Sequence, residues 1–352
     1  MNIIGCDLHP RYQVVAWIDE ETGEIRKRRL THDQEEPRAF YASWPRGARI
    51  GIEATLPALW LERLLAECGH ELWVGDAARI RAMEVREQKT DGRDAKHLLE
   101  LLRTNRFPRI WVPSAGDRDL RQLLVHRMKL VRVRTLVKNQ LQALAMSQGV
   151  CRKRKLWSGK GRGELESLSL LPWADRRRKE LLAWLDQLEE AIKPLDQAVE
   201  EEAYARPEAV RLMTHPGVGP VVSLAFVLTL GRVERFANSR KLVSYLGLNP
   251  REHSSGGRQR LGAISKQGNS MLCWLLVQAA QTAAWGDPEL RRGYQRLKFR
   301  RTSGVAKVAI ARRLAVRLYW MLRGRMDYAQ LLVRMSGSPS SAMVPASTGS
   351  KV

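Results

Sequence analysis

Four acidic residues stand where a reaction on phosphate would need them: Asp7, Glu53, Asp91 and Asp94. Asp7 comes at the end of the apolar run NIIGCDL, and Glu53 closes GARIGIE. Both runs read as strands, which puts both carboxylates at the lip of a sheet. Asp91 and Asp94 are three residues apart, a spacing that puts two side chains on one face of a helix. Oxygen donors of this kind suit hard divalent cations. Two such ions about 4 Å apart can clamp the attacking and leaving oxygens of a phosphodiester. Each acid also has a plainer use. Asp91 could cap a helix while Asp94 complements the positive helix end, and Glu53 could be a solvated strand end.

A second stretch, GLNPREHSSGGRQRLGAISKQGN, offers nucleophile chemistry. Ser254 and Ser255 precede two glycines, which allow backbone to approach a phosphate closely. Arg251, Arg258, Arg260 and Lys266 could hold that phosphate and stabilise developing charge. A serine so placed could attack phosphorus and store the bond as phosphoserine. The commoner use of such a segment is a Ser/Gly turn. Just upstream, HPGVGP at 215–220 resembles a helix–hairpin–helix element, whose N–H groups can hold a DNA phosphate; a tight inter-helix turn is the alternative.

Charge points to the partner. Against 37 Asp and Glu stand 60 Lys and Arg, a net charge of +23 over 352 residues. Such a surface attracts polyanions and releases their counterions. From Leu290 to Met326 there are 12 cations and no carboxylate, with Arg312, Arg313 and Arg317 within a turn and a half of helix. That face could track phosphates. The four cysteines lack zinc-finger spacing, and the chain shows no signal-peptide pattern and no apolar run of membrane-spanning length. A reduced, cytoplasmic protein of bacterial type, nucleoid-associated and without a membrane partner, is expected.

The elements that must position these residues fall into segments. In 1–113, strands at 2–8, 12–18 and 25–31 precede a strand–helix–strand unit from 47 to 75, a helix at 91–106, and a last strand or extended segment at 109–113. The expected fold is α/β. Across 114–205, Leu120, Leu124, Met128 and Val131 begin one helical stripe. Leu181, Leu185, Leu188, Ile192, Leu195 and Val199 form another, at heptad spacing. Pro194 should kink or interrupt this helix. Either an intramolecular hairpin or coiled-coil oligomerisation fits the stripe. CRKRKLWSGKGRGE between the stripes reads as an exposed loop. Residues 206–335 read as mostly helical, with helices at 221–230, 240–248, 269–285 and 304–323, and 336–352 as a disordered Ser/Pro/Gly-rich tail.

The order of the acids, first-strand Asp, later-strand Glu, then a paired-Asp helix, is that of the RuvC-like, ribonuclease-H-like nucleases. The whole chain resembles the insertion-sequence one-ten family of transposases, also called DEDD transposases or bridge-RNA-guided recombinases. GCDLH, GIEAT and KTDGRDA carry the resemblance at one end; HPGVGP, YLGLNPREHSSGG and ISKQGN carry it at the other. It implies a RuvC-like domain whose Asp7, Glu53, Asp91 and Asp94 bind Mg2+, a helical coiled-coil section, and a C-terminal transposase domain with a nucleophilic serine. By motif that serine is Ser255, with Ser254 and then Ser265 as alternatives. The resemblance further implies donor and target DNA, a structured guide (bridge) RNA, and a homo-oligomer, dimer or tetramer, with a composite active site. A junction-cutting nuclease using activated water, and a non-catalytic nucleic-acid binder, are the competing readings.

Overall fold

The computed structural model describes every residue except 1, 20, 34, 55–57, 85–89, 152–154, 253, 255–257, 259, 266 and 337–352. The chain divides into two compact units, Met1–Ala115 and Gly116–Val352.

The first unit is built on one sheet. Its strands are β1 (Ile3–Leu8), β2 (Tyr12–Ile18), β3 (Ile25–Thr31), β4 (Arg49–Glu53) and β5 (Glu71–Gly75), with helices α1 (Glu36–Ala42), α2 (Leu59–Glu67), α3 (Ala77–Ala82) and α4 (Asp91–Arg103). The sheet order is β3-β2-β1-β4-β5, with β2 antiparallel to both β1 and β3, and β1, β4 and β5 mutually parallel. Both faces are covered. On one, Ile4, Cys6, Ile50 and Ile52 pack with Phe40, Tyr41, Leu61 and Leu65. On the other, Val14 and Ala16 pack under Ala95 and Leu99 of α4. That double burial is why β1, β2 and β4 read as near-continuous apolar runs.

α4 lies unusually close to β1, and Gly5 is the reason. A Cβ at Gly5 would stand 2.2 Å from the Ala95 carbonyl oxygen and 2.4 Å from the Leu99 nitrogen. Leu102, farther along the same helix, and Phe107 beyond its end occupy the space over Gly51. The helix therefore runs back against β1 and brings its first turn to the strand's C-terminal end. It is shorter than the spacing predicts: it ends at Arg103, with Thr104 as its C-cap and Asn105 next, in the left-handed region at φ 54. The segment expected as a last strand or an extended segment is extended, with one bridge between Gly75 and Arg109 and a bond from Ile110 N–H to the Val74 carbonyl (2.9 Å).

The second unit begins with two 33-residue helices, α5 (Ala115–Ser147) and α7 (Pro172–Tyr204), flanking α6 (Gly159–Glu166). The basic loop expected at 151–164 thus contains the start of a helix; Ser158 caps it by accepting from Gly161 N–H at 3.2 Å. Lys138 meets Glu189 at 2.8 Å and Arg127 pairs with Asp196, so α7 runs antiparallel to α5. Val137, Leu141 and Leu144 pack with Leu181, Leu182 and Leu185. The heptad seam is thus satisfied within the chain, as an intramolecular hairpin. α7 also continues through Pro194 without a break.

The rest is α8 (Pro207–Met213), α9 (Pro220–Leu230), α10 (Ser239–Tyr245), the hairpin β6 (Pro250–Glu252) and β7 (Leu261–Ile264), α11 (Ser270–Gly286), α12 (Pro288–Arg300), α13 (Ser303–Arg323) and α14 (Tyr328–Met335). α9, α11 and α13 supply the centre of the largest core cluster. Among the described residues no helix is long and apolar enough to cross a membrane.

Candidate metal centre and nucleic-acid interface

Strand register brings two of the acids to one place. Cys6 pairs with Ile52 across parallel strands, so Asp7 and Glu53, one residue further, are neighbours at the same sheet edge. Gly5 and Gly51 face α4, and alternation puts Asp7 and Glu53 on that face too. α4 delivers Asp91 and Asp94 from its first turn. Thr90, not Asp91, is the residue at the cap, and Asp91 instead accepts a 2.8 Å hydrogen bond from the Tyr12 hydroxyl.

Asp7, His9 and Asp91 offer ligand atoms within 4.8 Å of one another. His9 Nε2 lies 3.0 Å from Asp7 Oδ2 and 3.7 Å from Asp91 Oδ2. Its ring stacks on Tyr12 with centroids 4.6 Å apart. Burial raises the Asp7 pKa above the usual carboxylate value; Asp94 and Asp91 add to the rise, and His9 opposes it. Asp94 is thus close enough to act on Asp7. Glu53 is turned to an exposed cation, its Oε1 3.2 Å from Arg81 Nη2. The donor set fits a hard divalent cation. Carboxylates that crowd a half-buried acid and raise its pKa are the arrangement such an ion relieves. Sequence reasoning gave no role to His9, which lies between the strands expected at 2–8 and 12–18, or to Tyr12. The DLH spacing carried the signal, since residues i and i+2 of an extended chain share a face.

The serine region is a hairpin. Pro250 pairs with Ile264 and Glu252 with Leu261. Ser254 Oγ donates to Glu252 Oε1 at 2.7 Å and accepts the Arg260 N–H at 3.1 Å. Arg251, Arg258 and Arg260 are exposed there. Ser255 and Lys266 lie outside the described residues. The third serine, Ser265, gives its N–H to the Asn249 carbonyl at 2.8 Å.

Among the expected phosphate contacts on α13, Arg312 and Arg313 are exposed. Arg317 is not available for that role: it is 4% exposed and ion-paired with Asp287 and, at 2.6 Å, with Glu289. Asp287 also accepts from the Tyr328 hydroxyl and from Leu290 N–H, capping α12. Burial opposes its ionisation, but these partners outweigh burial and hold its pKa below the usual carboxylate value. Charge counting along the sequence could not separate Arg317 from its neighbours, because its partners come from the start of another helix. The HPGVGP turn is likewise packed: Gly217, at φ +82, leaves its missing Cβ 2.6 Å from Ala283 N on α11. His215 is buried, and burial pushes its pKa down to about 4.

A mixed α/β layer with carboxylates gathered at parallel strand ends, in a chain this basic, defines a nucleic-acid-processing protein with an acidic centre. The DEDD transposase profile matches residues 4–147, and that described as "Transposase IS116/IS110/IS902 family" matches residues 209–295. A "Transposase for insertion sequence element IS1111A" from Coxiella burnetii is 30% identical over 290 residues, covering 80% of this chain and 77% of that protein. A "Probable family 20 transposase" from Pseudomonas aeruginosa is 29% identical over 344 residues, 92% of this chain and 98% of its own. A "Transposase for insertion sequence element IS1328" from Yersinia enterocolitica is 27% identical over 337 residues, 92% and 96% respectively. The chain belongs to the IS116/IS110/IS902 transposase family. It is a DNA transposase, and DNA is its substrate.

Proposed function

We propose that this transposase cuts and exchanges DNA strands with a RuvC-like, ribonuclease-H-like N-terminal domain and a serine nucleophile in its C-terminal domain, guided by a structured RNA. The observation that carries the acidic half is the meeting of Asp7 and Asp91 on one sheet face, with Asp94 acting on the same carboxyl. Asp7, Glu53, Asp91 and Asp94 would hold Mg2+. When bound, that ion supplies Lewis acidity and charge neutralisation at a scissile phosphate. His9 lies against Asp7 and Tyr12 holds Asp91, so the two carboxylates are oriented before any substrate arrives.

The serine assignment rests on the Ser-Ser-Gly-Gly sequence between β6 and β7 and on Arg251, Arg258 and Arg260 around it. Ser254 closes the hairpin through Glu252 and Arg260, which favours Ser255 as the attacking residue. Its Oγ would lose a proton and bond to phosphorus, and the P–O bond to one deoxyribose would break. That oxygen leaves as a hydroxyl after taking up a proton. The hydroxyl of the exchanging strand then attacks the phosphoserine, restoring the P–O bond and freeing the serine. Nearby arginines would balance charge on the phosphorane oxygens. Arg312 and Arg313 would contact flanking phosphates. Homo-oligomeric assembly would bring acids and serine from different subunits together.

Ser255→Ala is expected to abolish strand cleavage while leaving DNA binding intact, and the wild type should yield a denaturation-resistant protein–DNA adduct. Cleavage without an adduct, unaffected by Ser255→Ala, would instead make the protein a nuclease that activates water.

A further inference from the structure

Across the first unit's sheet, Asp7 pairs with Val14 and Val14 with Arg29. Directly opposed residues point the same way, so Asp7, Val14 and Arg29 make one row on the face covered by α4. Gly5, Ala16 and Lys27 make the next row. β3 is an edge strand whose four successive cations, Arg26 to Arg29, are all exposed. Its two faces are used differently. Arg26, on the far face, pairs with Asp19 at 2.6 Å, and Arg28 acts on Glu36. On the near face, the Arg29 guanidinium stacks 3.8 Å over the Tyr12 ring, and the Tyr12 hydroxyl holds Asp91. Lys27 reaches the first turn of α4, its Nζ 3.5 Å from where a Cβ of Gly92 would stand. Two cations therefore flank the acidic cluster along one side.

That placement answers an electrostatic difficulty. A cluster of carboxylates repels the phosphodiester it must approach, and cations a few ångströms away offset the repulsion locally. A guanidinium stacked on an aromatic ring is held flat, with its edge N–H groups directed outward in a fork that matches phosphate oxygens. We propose that Lys27 and Arg29 clamp the phosphate next to the scissile one on the DNA strand being cut. Tyr12 is a positioning residue that fixes Asp91 and carries Arg29. The inference deepens the reading of Asp7 and Asp91 as catalytic acids and rests on it.

The test uses the full-length protein, the transcript of its own element, and a synthetic duplex carrying that element's end. Single neutral methylphosphonates are scanned through the phosphates around the cut. Arg29→Ala and Lys27→Ala should each raise KM about tenfold with little change in kcat, and lower the slope of log affinity against log salt by about 1. One methylphosphonate beside the cut should slow the wild type by a similar factor and add nothing to Arg29→Ala. Arg29→Lys should restore part of the loss. Tyr12→Phe should lower kcat at unchanged KM. Mn2+ binding, read by electron paramagnetic resonance without DNA, should survive Arg29→Ala and be lost in Asp7→Asn. Normal KM in the Lys27→Ala/Arg29→Ala double variant overturns the clamp, as does a methylphosphonate effect that adds in full to Arg29→Ala. The same scan in the RNA, if it rather than the DNA scan is silenced by Arg29→Ala, moves the clamp to the guide and also overturns it. Unchanged kcat in Tyr12→Phe removes the positioning role. Absence of Mn2+ binding in the wild type, with the methylphosphonate pattern intact, sinks the acidic-centre reading and leaves the clamp standing.

Discussion

Asp7 is 17% exposed, and burial, Asp94 and Asp91 all raise its pKa. Its ionised form is therefore held at a cost to folding stability. Asp7→Asn keeps the shape and removes the charge. We expect it to raise the melting temperature of the 115-residue first unit, where each kcal/mol is read as about 4 °C. Strand cleavage should vanish in the same variant, so calorimetry and a nicking assay should move in opposite directions. His215 makes a different case. Its pKa, about 4 in the fold against 6.5 for the free side chain, means that the unfolded chain takes up its proton first as pH falls. Stability from this group is complete above pH 6.5, declines through the window between 6.5 and 4, and is lost below it. The loss should be on the order of 3 kcal/mol. Denaturation curves of His215→Phe should be flatter than the wild type across that window; parallel curves would refute the assignment.

At the scale of elements, the close seat of α4 on β1 decides whether the acids meet. Gly5→Ala should push the helix off by forcing a Cβ against Ala95, at about 1–3 kcal/mol in stability. It should also weaken Mn2+ binding, measured by calorimetry, because Asp91 rides on the displaced turn. The strands and the apolar stripe of α4 were readable from periodicity, since double burial leaves long apolar runs and a helix face repeats every three or four residues. What could not be read was contact across elements. Nothing in the spacing of Tyr12 and Asp91, 79 residues apart, announces their hydrogen bond. α12 went unread for a related reason. Its sequence PELRRGYQRLKFR is nearly all polar, with Leu290 its one fully buried side chain, so no stripe marks it. Pro194 misled in the other direction, because packing of a 33-residue helix can carry one missing N–H bond. Pro194→Ala should therefore stabilise the second unit, by up to about 3 kcal/mol in urea denaturation.

For the whole molecule, a net charge of +23 predicts that DNA affinity falls steeply with salt. Its cations are not equivalent, however. Arg312→Ala and Arg313→Ala should each lower the salt slope by about 1 and change stability by less than about 0.5 kcal/mol. Arg317→Ala should leave the buried Asp287 without its cation, held only by Tyr328 and Leu290, and lower stability by about 3–5 kcal/mol. Chemical denaturation beside a salt titration separates the two classes. The heptad stripe, readable as either hairpin or oligomer contact, packs its Leu181 and Leu185 against the chain's own α5.

The absent side chain at position 5 also bears on how lineages of this element decay. Copies that lose mobility are free to lose their acids, but a copy that still folds has no such freedom at Gly5, where even a methyl collides with helix backbone. Among copies that still fold, the glycine of GCD should therefore persist even where the aspartate has changed. The first letter of that motif records architecture, whatever becomes of the third.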